Sequence, residues 1–247
     1  MSYSQRIARR TAFAALAVTM MGMCMVMSAR ADDIAGSFSI ASNPNGAWSY
    51  GSLSGTTFTP FTISSSSLAS GYWTTSTSFP VVVANNTGAD VFFSSWDLPT
   101  DMLNLHPDPA GIASDVRWTA PSAGMYSIAG FFEGVDYQGP TTTDVHIYLN
   151  GTDLFPGMNI ASFDVHLPFS LTESLNAGDH IDFAVGFGAD GNYLFDSTGL
   201  SGSITPLSQT SVPEPATMFL LATGLAALGS RGKRKSGPIK SSLDVSY

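Results

Sequence analysis

Polar and apolar residues alternate with a period of two through most of the middle of this 247-residue chain. Val116 and Trp118, then Tyr126 and Ile128, flank the turn-forming stretch Ala120-Pro121-Ser122-Ala123-Gly124. Val145, Ile147 and Leu149 share one face of a strand, and Asp144, His146 and Tyr148 share the other, because successive strand side chains point to opposite sides. That strand runs into Asn150-Gly151, two residues that tolerate the left-handed backbone of a tight hairpin turn. Ile181, Phe183 and Val185 repeat the pattern after Asn176-Ala177-Gly178-Asp179. No stretch of the middle carries a helical period. Ten or so short strands separated by turn residues predict an all-β fold, an antiparallel jelly-roll-like β-sandwich. Residues 32–206 read as one domain, long enough to bury a proper core. Asp32 to Phe79 is lower in complexity, with a plain turn signal at Asn43-Pro44-Asn45-Gly46, and is expected to supply the first strands of the same sandwich.

Two apolar runs interrupt the alternation, one towards each end. Arg6, Arg9 and Arg10 precede the run Thr11 to Met27, and Ala29-Arg30-Ala31 places small residues before Asp32. A cationic start, an apolar middle and a small-residue exit make a secretory signal peptide, so residues 1–31 are expected to form a signal helix that signal peptidase removes. An uncleaved anchor helix is the alternative. At the other end, Val212-Pro213-Glu214-Pro215 leads into the charge-free run Ala216 to Ser230, and Arg231, Lys233, Arg234 and Lys235 follow. As a helix that run rises about 22 Å, and the stretch from Val212 about 28 Å, against a hydrocarbon core of about 30 Å. Proline fits the first helical turn, and the cations form a stop-transfer cluster that stays cytoplasmic. A buried core helix would not be apolar on every face and then end in four cations. The predicted order is therefore a 207–211 linker, a transmembrane helix within 212–235 and a disordered 236–247 tail.

Charge changes the picture further. Only Arg117, of ten Lys and Arg, lies between Asp32 and Ser211, against 17 of the 19 acidic residues, so that span carries a formal charge of −16. Such a body repels nucleic acid and anionic lipid and attracts cations, which excludes a nucleic-acid partner. Cys24, the one cysteine, lies in the signal segment, leaving the exported part without disulfides or thiol chemistry.

The Pro-Glu-Pro triplet, short apolar run and basic cluster together resemble the PEP-CTERM sorting signal of Gram-negative bacteria. The resemblance implies export, a membrane tether before processing, and an exosortase as partner, cleaving at Val212 to Pro215. The same tail type occurs on some ice-binding proteins, so it names a route and not an activity. A second resemblance covers roughly Trp96 to Ile204. Val116 to Tyr126, Asp144 to Gly151 and Ala177 to Phe183 are similar to strand and turn motifs of jelly-roll passenger domains carried with this tail, whose shape resembles carbohydrate-binding modules.

Candidate chemistry is sparse. No Gly-x-Ser-x-Gly elbow is present, and serines cluster in turn-like runs such as Ser64 to Ser67. Glu133 and Glu173 are the domain's only glutamates, and glycoside hydrolysis needs two carboxyls about 5–10 Å apart. Asp144-Val145-His146 and Asp164-Val165-His166 repeat an Asp-x-His unit that, paired, offers ligands to zinc or another transition metal; the alternative is a pair of solvent-facing strand positions. Asp190, Asn192 and Asp196 offer oxygen ligands suited to a structural calcium ion, or else an ordinary turn. No other cofactor is implied. Sugar binding needs exposed aromatic platforms, for which Trp48, Tyr50, Tyr72, Trp73, Trp96, Tyr137 and Tyr193 are candidates against a core role. Tyr72 and Trp73 are strand neighbours and face opposite sides, and Tyr137 sits in the Gly134 to Pro140 loop as a possible glycan contact. The leading expectation is a non-enzymatic surface or matrix protein associated with extracellular polysaccharide. A polysaccharide hydrolase and an ice- or surface-adhesion protein are the alternatives; for the latter, Thr141 to Thr143 form no repeat.

Overall fold

Residues 30–207 are described by the computed structural model, so the expected signal helix up to and including Ala29, the 208–211 part of the linker, Val212 to Pro215, the 216–230 apolar run expected as a transmembrane helix, the basic cluster Arg231 to Lys235 and the 236–247 tail lie outside the described residues. Alternation in the middle becomes two stacked antiparallel sheets. Sheet A places β15 (His166–Leu175), β11 (Gly124–Gly134), β17 (Thr198–Leu207), β9 (Met102–His106), β6 (Val81–Asn85), β5 (Tyr72–Thr74) and β4 (Ile63–Ser65) side by side, with β1 (Asp32–Asp33) also on β17. Sheet B runs β13 (Thr152–Asp153), β12 (Thr143–Leu149), β16 (His180–Gly186), β10 (Ala113–Thr119), β2 (Trp48–Ser54) and β3 (Thr57–Pro60), with β14 (Met158–Ile160) also on β12. A small hairpin, β7 (Val91–Phe93) and β8 (Trp96–Leu98), forms a third sheet. Every pairing is antiparallel, and the described residues contain no helix. Hence no helix among them is long and apolar enough to cross a membrane.

The inward faces of the two sheets meet in one core that includes Trp48, Tyr50, Trp118, Tyr126, Phe132 and Phe183. Full burial of an aromatic side chain contributes about 2–3 kcal/mol, and these rings fill the gap between the sheets. The Ala120 to Gly124 turn carries the chain from sheet B to sheet A, so Trp118 and Tyr126 face each other across the sandwich with ring centroids 5.1 Å apart at 67°. The Tyr126 hydroxyl donates to the Ser122 carbonyl at 2.9 Å, which fixes that corner. Asn150 and Gly151 have φ of 50° and 82°, and Leu149 faces Thr152, as the two-residue hairpin requires. The low-complexity start supplies β1 to β5, with Trp48, Tyr50 and Trp73 in the core. Its Asn43 does more than turn the chain: Nδ2 donates to the Tyr50 and Phe61 carbonyls at 2.6 and 3.0 Å, and Oδ1 accepts from Tyr50 N at 3.0 Å.

The outward faces differ in kind. Sheet B exposes Asp144, His146 and Tyr148 of β12 in part, together with Arg117 of β10. Sheet A is covered on part of its outer face by the β7–β8 hairpin, and Val83, Trp96, Leu98, Met102 and Val135 make a second apolar cluster there. β6 and β9 are consequently buried on both faces.

Candidate functional site

Register places the polar residues of β9 where a ligand can reach them. In an antiparallel sheet, residues directly opposite one another point to the same face. One cross-strand row on the outer face of sheet A reads Tyr72, Val83, Asn104, Gly199, Glu133, His166, from β5 to β15. A shorter row beside it reads Thr74, Val81, His106. Leu103 and Leu105, which alternate with Asn104 and His106, fill the main core.

Over these rows lies a cavity of about 600 Å³, a size usual for small-ligand sites. Its floor is Tyr72, Thr74, Val81, Val83, Asn104 and His106; the Phe93 to Trp96 turn and the Tyr193 to Ser197 segment wall it. Phe79, His106 and Tyr193 pack as a ring triad, with centroids 4.8 Å apart for Phe79–His106 and 5.8 Å for each ring with Tyr193. Among the described residues, no Asp, Glu, Lys or Arg lines the cavity.

Two polar atoms on this lining have no partner: Asn104 Oδ1 and Ser197 Oγ, on residues 2% and 1% exposed. A buried polar group left unpaired costs about 1–3 kcal/mol, which a ligand hydroxyl would offset once these side chains turn to meet it. His106 Nδ1 lies 2.8 Å from the Pro107 carbonyl, which can only accept; Nδ1 is therefore the donor, and Nε2 of the neutral ring is an acceptor. Burial pushes the imidazole below its ordinary value, opposed by the Pro107 carbonyl and by the charge of Asp136. Asp136 is itself buried, accepting from Ser95 Oγ at 2.5 Å and from Ser197 N at 2.7 Å. It ties the two walls of the cavity together.

The seven aromatic candidates divide cleanly. Trp48, Tyr50 and Trp73 belong to the core, while Tyr72, Trp96 and Tyr193 line the cavity. Tyr72 and Trp73 do face opposite sides of β5. Tyr137 is not on the lining: 45% exposed, its hydroxyl donates to the Ser94 carbonyl at 3.0 Å, and its ring meets Phe163 edge-on at 6.1 Å. It braces the Ser94 turn from outside.

The two Asp-x-His units are not paired. Asp144 and His146 lie on β12 of sheet B, whereas His166 opens β15 of sheet A. Asp164 is not on a strand face either; it sits in the preceding turn with φ of 61°. His146 is held at both ring nitrogens, Nε2 by Asp144 at 3.3 Å and Nδ1 by Asp153 at 2.8 Å. Those bonds raise its affinity for a proton, Asp144 foremost. His166 Nε2 instead faces Glu133 at 3.2 Å and Asp164 at 3.9 Å.

Asp190, Asn192 and Asp196 each have a local role. Asp190 and Asn192 are exposed and accept from the backbone two residues on, at 3.0 and 3.1 Å. Asp196 is buried at the foot of the same loop and accepts from Thr142 N at 3.0 Å. Glu133 and Glu173 lie on neighbouring strands, but Glu133 faces His166, seven residues from Glu173 along β15. That is about 24 Å at strand rise, far beyond the spacing of a glycosidase pair. Thr141 and Thr143 are buried, which removes them from any flat threonine surface.

His106, Asn104, Phe79 and Ser197 were not marked by any motif. The signal present was the alternation Leu103-Asn104-Leu105-His106, two apolar residues inward and two polar residues outward.

No curated protein matches the chain. Among solved structures, a family 51 carbohydrate-binding module from Clostridium perfringens GH95, in complex with methyl-galactose, is similar at 9% identity and a TM-score of 0.36, over 60% of this chain and 94% of that one. A family 35 carbohydrate-binding module from Clostridium thermocellum gives 16% and 0.30, over 52% and 87%. The enzymatically active domain of a bacteriophage CBA120 tailspike protein gives 14% and 0.31, over 66% and 19%. TM-scores this low leave any functional reading to rest on this chain's own residues. The tail is another matter: the PEP-CTERM protein-sorting motif matches residues 211–235, so the chain carries the signal that directs export, membrane anchoring before processing, and exosortase action.

Proposed function

We propose that the sandwich is a jelly-roll-type glycan-binding module and that the cavity over Asn104 and His106 receives the end of an uncharged sugar chain. The chain acts as a non-enzymatic surface or matrix protein associated with extracellular polysaccharide. The observation that carries this is the pairing of aromatic walls with unpartnered buried polar atoms in one uncharged cavity. Sugars present apolar C–H faces, which pack on rings such as Tyr72 and Tyr193, and hydroxyls, which meet Asn104 Oδ1, Ser197 Oγ and His106 Nε2. A charge of −16 on the surrounding domain disfavours acidic polysaccharide. Among the described residues no carboxyl lines the cavity to act as acid or base, and both oxygens of Asp136 are already bonded.

An array of neutral and acidic oligosaccharides, followed by titration calorimetry, tests the reading. Neutral glycans are expected to bind, acidic ones not. Asn104→Ala combined with His106→Ala removes two polar contacts of about 1 kcal/mol each, lowering affinity by roughly thirtyfold. Tyr148→Ala, on sheet B, leaves it unchanged. Failure of every neutral glycan to bind, or indifference to the double variant, would refute the cavity as the site. Turnover of a bound glycan would refute the non-enzymatic reading.

A further inference from the structure

We propose that Glu133, Asp164 and His166 form a binding site for a transition-metal dication, zinc foremost. One atom from each residue, the imidazole nitrogen and two carboxylate oxygens, lies within 4.8 Å of the other two. Nε2 of His166 is the nitrogen turned towards both carboxylates, at 3.2 and 3.9 Å. Two ligands each about 2.1 Å from a tetrahedral ion stand about 3.4 Å apart, so an ion fits between these atoms with little rearrangement. A nitrogen with two oxygens suits zinc or manganese; calcium needs six to eight oxygens and finds too few here. Two carboxylates and a neutral imidazole sum to −2, which a dication cancels.

The site is built and not a chance meeting of surface charges. Glu133 and His166 are direct cross-strand partners on β11 and β15, and the Glu133 side chain is only 8% exposed. Asp164 is brought in by its turn. Its N–H donates to the Gly134 carbonyl at 2.8 Å, and Gly134 N–H donates to the Val165 carbonyl at 3.2 Å. A Cβ at position 134 would lie 2.3 Å from the Ser162 carbonyl oxygen, so only glycine lets this turn press against β11. The His166 ring stacks on Phe131 at 4.7 Å and 15°, which sets the plane of the ligating nitrogen. His146 offers the contrast: its carboxylates hold opposite ring nitrogens, and no single point is shared by three ligand atoms.

His166 stands three strands from Asn104 on the same row, about 14 Å away, so the ion would not touch a sugar in the cavity. The metal site and the glycan site therefore stand or fall separately.

The full chain, purified in detergent and stripped with chelator, is titrated calorimetrically with zinc chloride and then with calcium chloride. One equivalent of zinc is expected to bind, and calcium to give no saturable signal. Loss of groups that merely support a metal ligand weakens binding about 10–100-fold, so loss of a ligand should cost at least about tenfold. Asp164→Asn should show that loss without unfolding, because position 164 is 76% exposed at its side chain and asparagine tolerates its left-handed backbone. His166→Ala should abolish binding, and His146→Ala should leave it intact. Absence of saturable zinc binding in the natural chain, or binding kept in Asp164→Asn and lost in His146→Ala, overturns the proposal.

Discussion

Arg117→Met is expected to destabilise the folded domain by about 3–5 kcal/mol at neutral pH, roughly 10 °C or more in melting temperature for a body of this size. Arg117 is the only Lys or Arg between Asp32 and Ser211. It sits on the outer face of sheet B with Nε 2.6 Å from Asp182 Oδ1 and Nη2 2.9 Å from Asp182 Oδ2, a two-bond fork that lysine cannot reproduce. Its guanidinium carbon lies 4.3 Å from the centre of the Phe58 ring, which lies over Gly51, where a Cβ would meet it at 2.6 Å. That ring and arginine exclude water from Asp182, whose side chain is 2% exposed, and from the fully buried Asp115. Burial holds the Asp115 carboxyl well above its ordinary value, Asp182 pushes the same way, and Arg117 opposes both. Removing the cation leaves two carboxyls in one dry place. Because Asp115 binds its proton more tightly folded than unfolded, its contribution to stability is present in acid and lost as pH rises. Loss of the opposing Arg117 makes these carboxyls bind protons more tightly still, so the deficit of Arg117→Met should shrink between pH 7 and pH 5. Arg117→Met with Asp182→Leu should recover most of the loss, since an apolar pair of similar volume replaces a buried ion pair at little cost. Denaturant titration of the three proteins decides it, and a single-variant loss under about 1 kcal/mol would show the pair to be solvated after all.

What could be read from the sequence follows from which faces meet water. β10, β12 and β16 were legible because the outer face of sheet B is polar, so Asp144, His146 and Tyr148 alternate with Val145, Ile147 and Leu149. β6, Val81 to Asn85, gives no such signal: the β7–β8 hairpin covers the outer face of sheet A, and a strand buried on both sides loses its period. The same cover walls the cavity, on whose floor Val81 and Val83 of the patternless β6 lie beside Asn104 and His106 of the alternating β9.

The candidate residues were legible one by one, but not as sets. Tyr72, Trp96 and Tyr193 could be named as aromatic candidates, while their shared cavity depends on β5, β6 and β9 lying side by side, through pairings that set Tyr72 against Val83 and Val83 against Asn104. Asp164 and His166 could be named as ligands, but their partner is Glu133 and not Asp144. The register of β11 on β15 decides that, and nothing in the local spelling of either strand records it.

Asp196→Asn should stabilise the domain by about 1–3 kcal/mol at pH 7, by about half as much at pH 5, and lose that advantage below about pH 4. Asp196 is wholly buried; Oδ1 accepts from Thr142 N, lies 3.4 Å from the Thr142 and Thr143 hydroxyls, and Oδ2 has no partner. Burial, with the charge of Asp190 behind it, pushes the carboxyl up to about 6, against an ordinary value of 3.8. Between those two values the folded state holds a proton that the unfolded state has released, so stability falls as pH rises through the window. Two units correspond to about 2.7 kcal/mol at most, less where water reaches the loop. Asparagine keeps the Oδ1 acceptor and carries no charge at any pH, so it removes the slope. His106 slopes the other way, because its lowered value makes folding lose ground as pH falls through its ordinary range. Asp97, Asp115 and Glu133 slope with Asp196. All four are present in both proteins and cancel in the difference between them. The loop that ends at Asp196 passes directly into Ser197, which lines the cavity and whose N–H holds Asp136. Protonation of Asp196 would thus firm the wall of the binding site in mildly acidic surroundings, and the same variant measured for glycan affinity at pH 5 and 7 would report it. A stability difference between the two proteins that stays constant from pH 7 to pH 5 would mean that Asp196 is not the charged, buried group described here.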